Sequence, residues 1–447
     1  MESVLLYLLG IIIVAVGLVV SIALHEVGHL VPAKLFGVKV GQYMIGFGKT
    51  VWSRKFGETE YGIKPIPMGG YISMAGMDPP EKNGGSARAS STGFFQTLVQ
   101  DARTASADGV VVGEEDRVFY KLPVWKRIVI MLGGPTMNLL IGIVLYAVLL
   151  MGFGAAQVST TVGSVSECVV SQSSSSTSDG DEECSPGDAT APGAAAGLKP
   201  GDRFVSLDGT AITTWEQATA IIRESAGDDL TMVVERDGEN VTLTSVPLLT
   251  ERYVYDENSE VVTDASGNTV TEEVGFLGIG PALETVQQPI TAVLPAVGDN
   301  IGRVGHMILN LPERLVDVVN AAFGTEERDP NGPISVVGVG RLAGEISSLD
   351  TLPIADKAAS LIGLLASLNI ALFVFNLVPL MPLDGGHVAG ALWEGIRRFF
   401  AKLFGRKDPG PVDIAKLVPL TLVVVVLLGS MSALLIYADL VKPISIL

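Results

Sequence analysis

Ala23-Leu24-His25-Glu26-Val27-Gly28-His29-Leu30 is the stretch from which the rest of the chain can be read. It closes an uncharged apolar run that begins at Val4, and no helix breaker intervenes before Pro32. On a helix, residues four apart lie one turn above another on the same face, so His25 and His29 can turn two imidazoles toward one metal ion with Glu26 beside them. The whole chain has only 4 His, and two of them fall in this H-E-x-x-H arrangement. The competing reading is an interface helix with incidental histidines. Cost argues against it, because a carboxylate and two imidazoles at the end of a membrane-length helix are expensive in hydrocarbon and mark function.

At 447 residues and 48% hydrophobic, the chain is too long for one domain and too apolar for an ordinary soluble protein. Four uncharged runs, residues 4–24, 128–153, 358–383 and 417–438, can each cross about 30 Å of hydrocarbon at about 1.5 Å per residue. The first is not read as a cleaved signal peptide: Met1-Glu2-Ser3 has no basic character, and the histidine motif adjoins the run.

Net charge is −18, unevenly spread. Residues 34–127 hold 13 Lys and Arg against 9 Asp and Glu, residues 155–355 hold 9 against 31, and residues 384–416 hold 6 against 4. Basic loops stay in the cytoplasm. This puts the first and third loops inside, and the large acidic region outside with both termini. No nucleic-acid partner is expected. Cys168 and Cys184 lie in the acidic outer region, where a disulfide would contribute roughly 3 kcal/mol in the chain-entropy model. Two buried free thiols are the alternative.

After the first span, residues 38–48 and 59–74 show partial alternation with aromatic and β-branched residues, which reads as short strands in hairpins. Gly69, Gly70 and Tyr71 lie there, and such an edge beside a membrane cavity can take an extended peptide as an extra strand. A surface hairpin without a ligand is the alternative. Residues 79–118 are polar, with a short helix expected at 94–105. Span two opens on the anchor Val124-Trp125-Lys126-Arg127, followed by Gly133-Gly134-Pro135-Thr136-Met137-Asn138. Small residues admit a close neighbouring helix and Pro135 frees a carbonyl. Asn138 then either hydrogen-bonds into the layer of His25 or serves as glue between helices.

Beyond span two, residues 171–183 form a Ser-rich acidic insertion. Then come Gly197-Leu198-Lys199-Pro200-Gly201-Asp202, a helix at 215–224, and strands at 231–236 and 240–246 joined by Asp237-Gly238. This segment resembles a PDZ domain of the bacterial, protease-associated kind, which binds peptide ends by strand addition or acts as a size gate; a PDZ-shaped spacer is the alternative. Residues 254–273 read as a polar loop, and 301–323 as one amphipathic helix on the outer membrane surface with His306 an interfacial polar residue.

Span three carries Asn369 and ends Asn376-Leu377-Val378-Pro379-Leu380-Met381-Pro382-Leu383-Asp384-Gly385-Gly386-His387. A catalytic zinc takes three protein ligands and leaves one position open. Asp384, where the helix unwinds toward the side of His25, is the natural third; His387 is its rival.

Together the histidine motif, Pro67-Met68-Gly69-Gly70-Tyr71-Ile72, Gly134-Pro135-Thr136-Met137-Asn138, the PDZ-like segment and residues 376–385 resemble the site-2 protease family of intramembrane zinc metalloproteases. The resemblance is to the regulator-of-sigma-factor branch, nearest to homologues of high-GC Gram-positive bacteria. It runs along most of the chain, and departs at residues 79–118 and in the single PDZ domain. It implies one zinc held by His25, His29 and Asp384, with Glu26 as the general base that later protonates the leaving amine. Its implied substrates are single-span membrane proteins, often anti-sigma factors already shortened by an upstream site-1 protease, from which a cytoplasmic fragment is released. The enzyme would sit in the bacterial cytoplasmic membrane with its active site near the cytoplasmic face.

Since an intact helix hides its carbonyls, the substrate must unwind, and Gly69, Gly70, Tyr71, Asn138 and Asn376 are the residues expected to meet its freed backbone. Two other classes compete: a metal transporter or sensor, and a non-proteolytic PDZ-bearing scaffold. Spans two and four contain no His, Asp or Glu in their apolar runs, which disfavours a transport path.

The expected fold is therefore a polytopic α-helical membrane protein with four transmembrane helices, a β-hairpin loop at the cytoplasmic membrane face and an extracytoplasmic α+β PDZ domain. The expected boundaries are 1–36, 124–155, 356–384 and 417–440 for the spans. The β-hairpin loop takes 37–78, the cytoplasmic insertion 79–123 and the PDZ domain 156–250. Residues 251–355 are a linker with membrane-surface helices, and 385–416 a cytoplasmic loop.

Overall fold

The computed structural model describes residues 2–77, 116–169, 184, 189–254, 262, 269–324, 328–329, 332–412 and 417–444. The helix expected at 94–105 and the Ser-rich run 171–183 lie outside the described residues. The chain divides into two compact units, one of Met1–Phe153 with Gln288–Leu447 and one of Gly154–Gln287.

Four helices of the first unit are long and apolar enough to cross a membrane: Ser3–Leu35, Val124–Phe153, Ile354–Asn376 and Val418–Val441. Their outward valines and leucines, Val16 and Val426 among them, are exposed, as lipid-facing side chains are. The first two touch backbone to backbone. A Cβ on Gly28 would overlap the carbonyl of Gly133, and one on Gly133 would overlap that of Gly28. Only glycine permits that crossing. The first and third are joined by a buried amide, Asn369, which donates to Ser21 Oγ at 3.0 Å and to the Leu365 carbonyl at 2.8 Å.

Between the first and second long helices lies a sheet of four strands, β1 (Val40–Phe47), β2 (Trp52–Phe56), β3 (Thr59–Ile63) and β4 (Ile66–Met74), in the order β2-β3-β1-β4. The hairpin reading needs correction. β2 and β3 form a hairpin, but β1 and β3 run parallel, and β4 takes the other edge of β1. Alternation shows that a strand is half buried without naming its neighbour. Here the neighbour follows from how β1 is pinned: Tyr43 Oη donates to the Ala23 carbonyl at 2.8 Å, and Val40 and Tyr43 pack with Leu30, Ala33 and Ile130 of the first two helices. β4 is left as an outer strand.

Four further expectations change. Residues 301–323 are not one helix but parts of two, Val293–Leu309 and Leu311–Phe323, because Pro312 cannot continue the first. The first of these is not merely superficial: buried Asn300 donates to Tyr146 Oη at 2.7 Å and Ser367 Oγ at 3.1 Å, tying it to the second and third long helices. His306 pairs with Asn310, a residue on its own turn. The third long helix stops at Asn376, short of Pro379, and residues 385–416 are not simply a loop, since a new helix occupies Asp384–Leu403. Gly385 and Gly386 allow its first turn to press on residues 377–381, where a Cβ would meet the backbone of Leu377 and Leu380.

The second unit carries a sheet ordered Glu239–Ser245, Leu230–Arg236, Arg203–Leu207, Ala155–Val165, Ile279–Val286, with the helix Trp215–Glu224 packed on it through Ala218 and Ile222. Phe204, Leu207, Leu230 and Met232 form its core. The boundary expected at 250 stops short, for Ile279–Val286 returns to pair with Ala155–Val165, and Thr271–Phe276 pairs with Leu248–Tyr253. The predicted turn is there, with Asp237 and Gly238 both at positive φ between paired Arg236 and Glu239. Cys168 and Cys184 form a disulfide.

Candidate metal centre

His25 and His29 stand one turn apart on the first long helix, and their Nε2 atoms are 3.2 Å from each other. Asp384, the first residue of the helix Asp384–Leu403, brings its Oδ2 to 3.3 Å from each of those nitrogens. Three donor atoms thus form a nearly equilateral triangle. A tetrahedral zinc with bonds of about 2.0–2.1 Å has ligand-to-ligand edges of about 3.3–3.4 Å. The donor set fits that ion in type and spacing, and it is the one group of three His, Cys, Asp or Glu able to hold a metal among the described residues. His387 is not part of it; its Nδ1 is buried without a partner among the described residues.

The two histidine corners of the triangle are held from behind. His29 Nδ1 lies 2.7 Å from the Ile130 carbonyl, and donating its proton there leaves the Nε2 lone pair free. Pro135 has no N–H for the Met131 carbonyl; the carbonyl that His29 uses is the one before it. His25 Nδ1 lies 3.1 Å from the Asn138 amide nitrogen, while Asn138 Oδ1 is buried with no partner among the described residues. Turning that near-symmetric amide over lets Oδ1 accept the His25 Nδ1 proton, which again frees Nε2. The sequence places Asn138 in the layer of His25, and its amide is taken up there by His25.

Gly134 forms the floor of the site. A Cβ there would strike Nε2 of both histidines, so the second long helix can lie against the donors only with glycine at this position. Glu26 is buried, and β4 passes beside it: a Cβ on Gly70 would come within 2.8 Å of Glu26 Cγ and 3.1 Å of the Met44 carbonyl. Gly69 holds φ +130, with the Phe47 ring where its side chain would be. Tyr71 Oη accepts from Lys64 at 2.8 Å and donates to Gln42 at 3.2 Å. Asn376 ends the third long helix, at the head of the turn that leads to Asp384.

The helix that supplies Asp384 is anchored by a pair that sequence reasoning missed. Arg127, on the first turn of the second long helix, bonds Glu394 at 2.5 Å, and Glu394 is fully buried. Its other oxygen accepts the Val412 N–H at 3.0 Å. A lone acid on the inward stripe of an amphipathic run was the available signal.

Two imidazoles and a carboxylate that leave a fourth position open, with a second carboxylate one residue along, are what a zinc hydrolase requires, here built into a bundle of membrane-length helices. The model of peptidase family M50 matches residues 13–407. The chain is 34% identical over 443 residues to the zinc metalloprotease Rip1 of Mycobacterium tuberculosis, covering 98% of this chain and 99% of that protein. It is 33% identical over 451 residues to Rip1 of Mycolicibacterium smegmatis, covering 98% of each. It is 28% identical over 405 residues to the metalloprotease MmpA of Caulobacter vibrioides, covering 88% of this chain and 89% of that one. The chain belongs to peptidase family M50, the site-2 proteases, and is a zinc metalloprotease.

Proposed function

We propose that His25, His29 and Asp384 hold the zinc and that Glu26 is the general base of an intramembrane endopeptidase cutting single-span membrane proteins within or near their transmembrane segments. The observation that carries this is the donor triangle with Glu26 and the outer strand β4 packed against it. Zinc, when bound, supplies Lewis acidity and activates water at neutral pH. Glu26 takes the proton from the attacking water and returns it to the leaving amine. Asn138 and the Ile130 carbonyl hold the two imidazoles in the tautomer that faces the metal.

A helical substrate must unwind before its carbonyls are reachable. Among the described residues β4 pairs with β1 on one side only, and its other edge at Gly69, Gly70 and Tyr71 suits an added strand, with Asn376 bonding to the freed backbone on the other side. The basic loops support a cytoplasmic-facing site in the bacterial cytoplasmic membrane. The second unit is an extracytoplasmic PDZ domain that binds peptide C-termini or limits substrate size. The substrates are of the anti-sigma-factor kind, first cut outside by a site-1 protease.

The test is cleavage of a helix-destabilised single-span substrate in detergent by the wild type, the chelated enzyme and Glu26→Gln, with zinc content measured alongside. Glu26→Gln retains zinc and loses proteolysis; full turnover by that variant refutes the mechanism.

A further inference from the structure

The helix Asp384–Leu403 presents a face that the rest of the described chain does not cover. Its buried positions are Gly385 and Gly386, which press on residues 377–381, and Ala391 and Glu394, which face the rest of the unit. At about 100° per residue, Leu392, Ile396, Phe399 and Leu403 fall on one side with Trp393 and Phe400 beside them. All six are exposed, Phe399 and Leu403 each at 64%. Phe404 prolongs the stripe, its ring stacked on Phe400 at 6.3 Å. A groove of about 450 Å³ opens on this face between Ile396, Phe399 and Phe400 and the first residue of the second long helix, Val124.

The margins of the face are cationic. Helical geometry sets Arg397 at one edge and Lys402 at the other. Neither has a carboxylate partner among the described residues, whereas Arg398, turned inward, is paired with Glu394 at 3.0 Å and Asp408 at 3.4 Å. Arg406 and Lys407 follow, both exposed. Of the acids between 384 and 412, Asp384 lies in the donor triangle and Glu394 is buried, which leaves Asp408 as the exposed one.

An aromatic apolar face with cations along both edges is that of a helix lying in the plane of a bilayer. Val124 links it to the membrane, because a spanning helix starts at the wall of the groove. The geometry points to this helix as a binding surface for anionic lipid, with the stripe among the acyl chains and Arg397 and Lys402 on the headgroup phosphates. One consequence rests on the metal site proposed above. Asp384 opens the same helix, so lipid that steadies the helix also steadies a metal ligand.

The experiment uses the full chain in neutral detergent, titrated with phosphatidylglycerol or phosphatidylcholine, with bound lipid counted by native mass spectrometry and thermal unfolding recorded. Phosphatidylglycerol is retained and raises the melting temperature, and phosphatidylcholine does so much less. Each Lys or Arg at an anionic surface contributes roughly fivefold, so Arg397→Gln with Lys402→Gln lowers phosphatidylglycerol affinity roughly thirtyfold. Arg397→Lys with Lys402→Arg keeps it, which separates charge from folding. An equal response to both lipids, or an unchanged response in the double Gln variant, overturns the proposal. So does a dimer that protects Phe399 from labelling regardless of lipid, which would give the face to a second copy. In the wild type, phosphatidylglycerol also slows zinc loss to a chelator. If lipid binds as described but zinc loss is unaffected, the surface stands and the coupling is wrong; if the wild type holds no zinc, the metal site fails while the lipid measurement still reads.

Discussion

His25 illustrates how much a metal ligand depends on the residue behind it. Its ring is useful only in one tautomer, and Asn138, buried 3.1 Å away, is positioned to choose it. Asn138→Leu is expected to lower zinc affinity about 10–100-fold, the usual effect of removing such a supporting group, as read by competition with a chromophoric chelator. Unchanged affinity would mean that His25 needs no such support. At this scale the chain was legible where spacing alone carries the chemistry, since i, i+4 histidines share a helix face in any fold. Gly133 and Gly134 read as admitting a close helix, and the first long helix does meet the second there, but that Gly28 is the partner and that Gly134 lies under both Nε2 atoms was not legible. Their importance lies in distances between two helices, and a glycine reads only as small until its neighbour is known. Asn138 is legible as a residue of the His25 layer, but sequence shows that an amide needs a partner without showing which atom supplies it.

The helix Asp384–Leu403 is the element on which the site depends. It has no covalent tie to the histidines nearby in sequence, so its register on the second long helix must come from contacts such as Arg127 to Glu394. Both side chains are buried, and breaking such a pair from one side strands a charge at a cost of about 3–5 kcal/mol. Glu394→Ala should therefore lower the melting temperature and release zinc faster, while Arg127→Met with Glu394→Leu should recover most of the stability in a double-mutant cycle. Full zinc retention in Glu394→Ala would show that the helix is positioned by its apolar contacts alone. This helix is legible in principle from its apolar residues at helical spacing, but the basic residues among them give the segment the composition of a cytoplasmic loop. The parallel pairing of β1 and β3 was not readable, because period-two alternation is blind to strand direction.

Across the whole molecule, the four spans were legible from uncharged length, a local property. The end of the second unit was not, because strand Ile279–Val286 joins Ala155–Val165 across a polar stretch that resembles a linker. That unit has its own pH dependence. Burial opposes charge on Asp202, but bonds from Arg236 and from the Lys199 N–H outweigh it and hold its carboxyl below the usual range. With the folded value below the unfolded one of about 3.9, the contribution to stability is complete above that pH and is lost as pH falls through the folded value. Asp202→Asn should flatten this acid limb, as followed by Trp215 fluorescence in a chain whose other tryptophans are replaced by Phe. An identical acid limb in the variant would assign it to other carboxylates.

The most direct measurement on the centre itself joins the two ends of the first unit: zinc per chain in purified Asp384→Ala, beside Glu26→Gln. The account predicts that Asp384→Ala binds zinc far more weakly and is isolated with much less than one ion per chain, whereas Glu26→Gln keeps its full complement. A full complement in Asp384→Ala would contradict it.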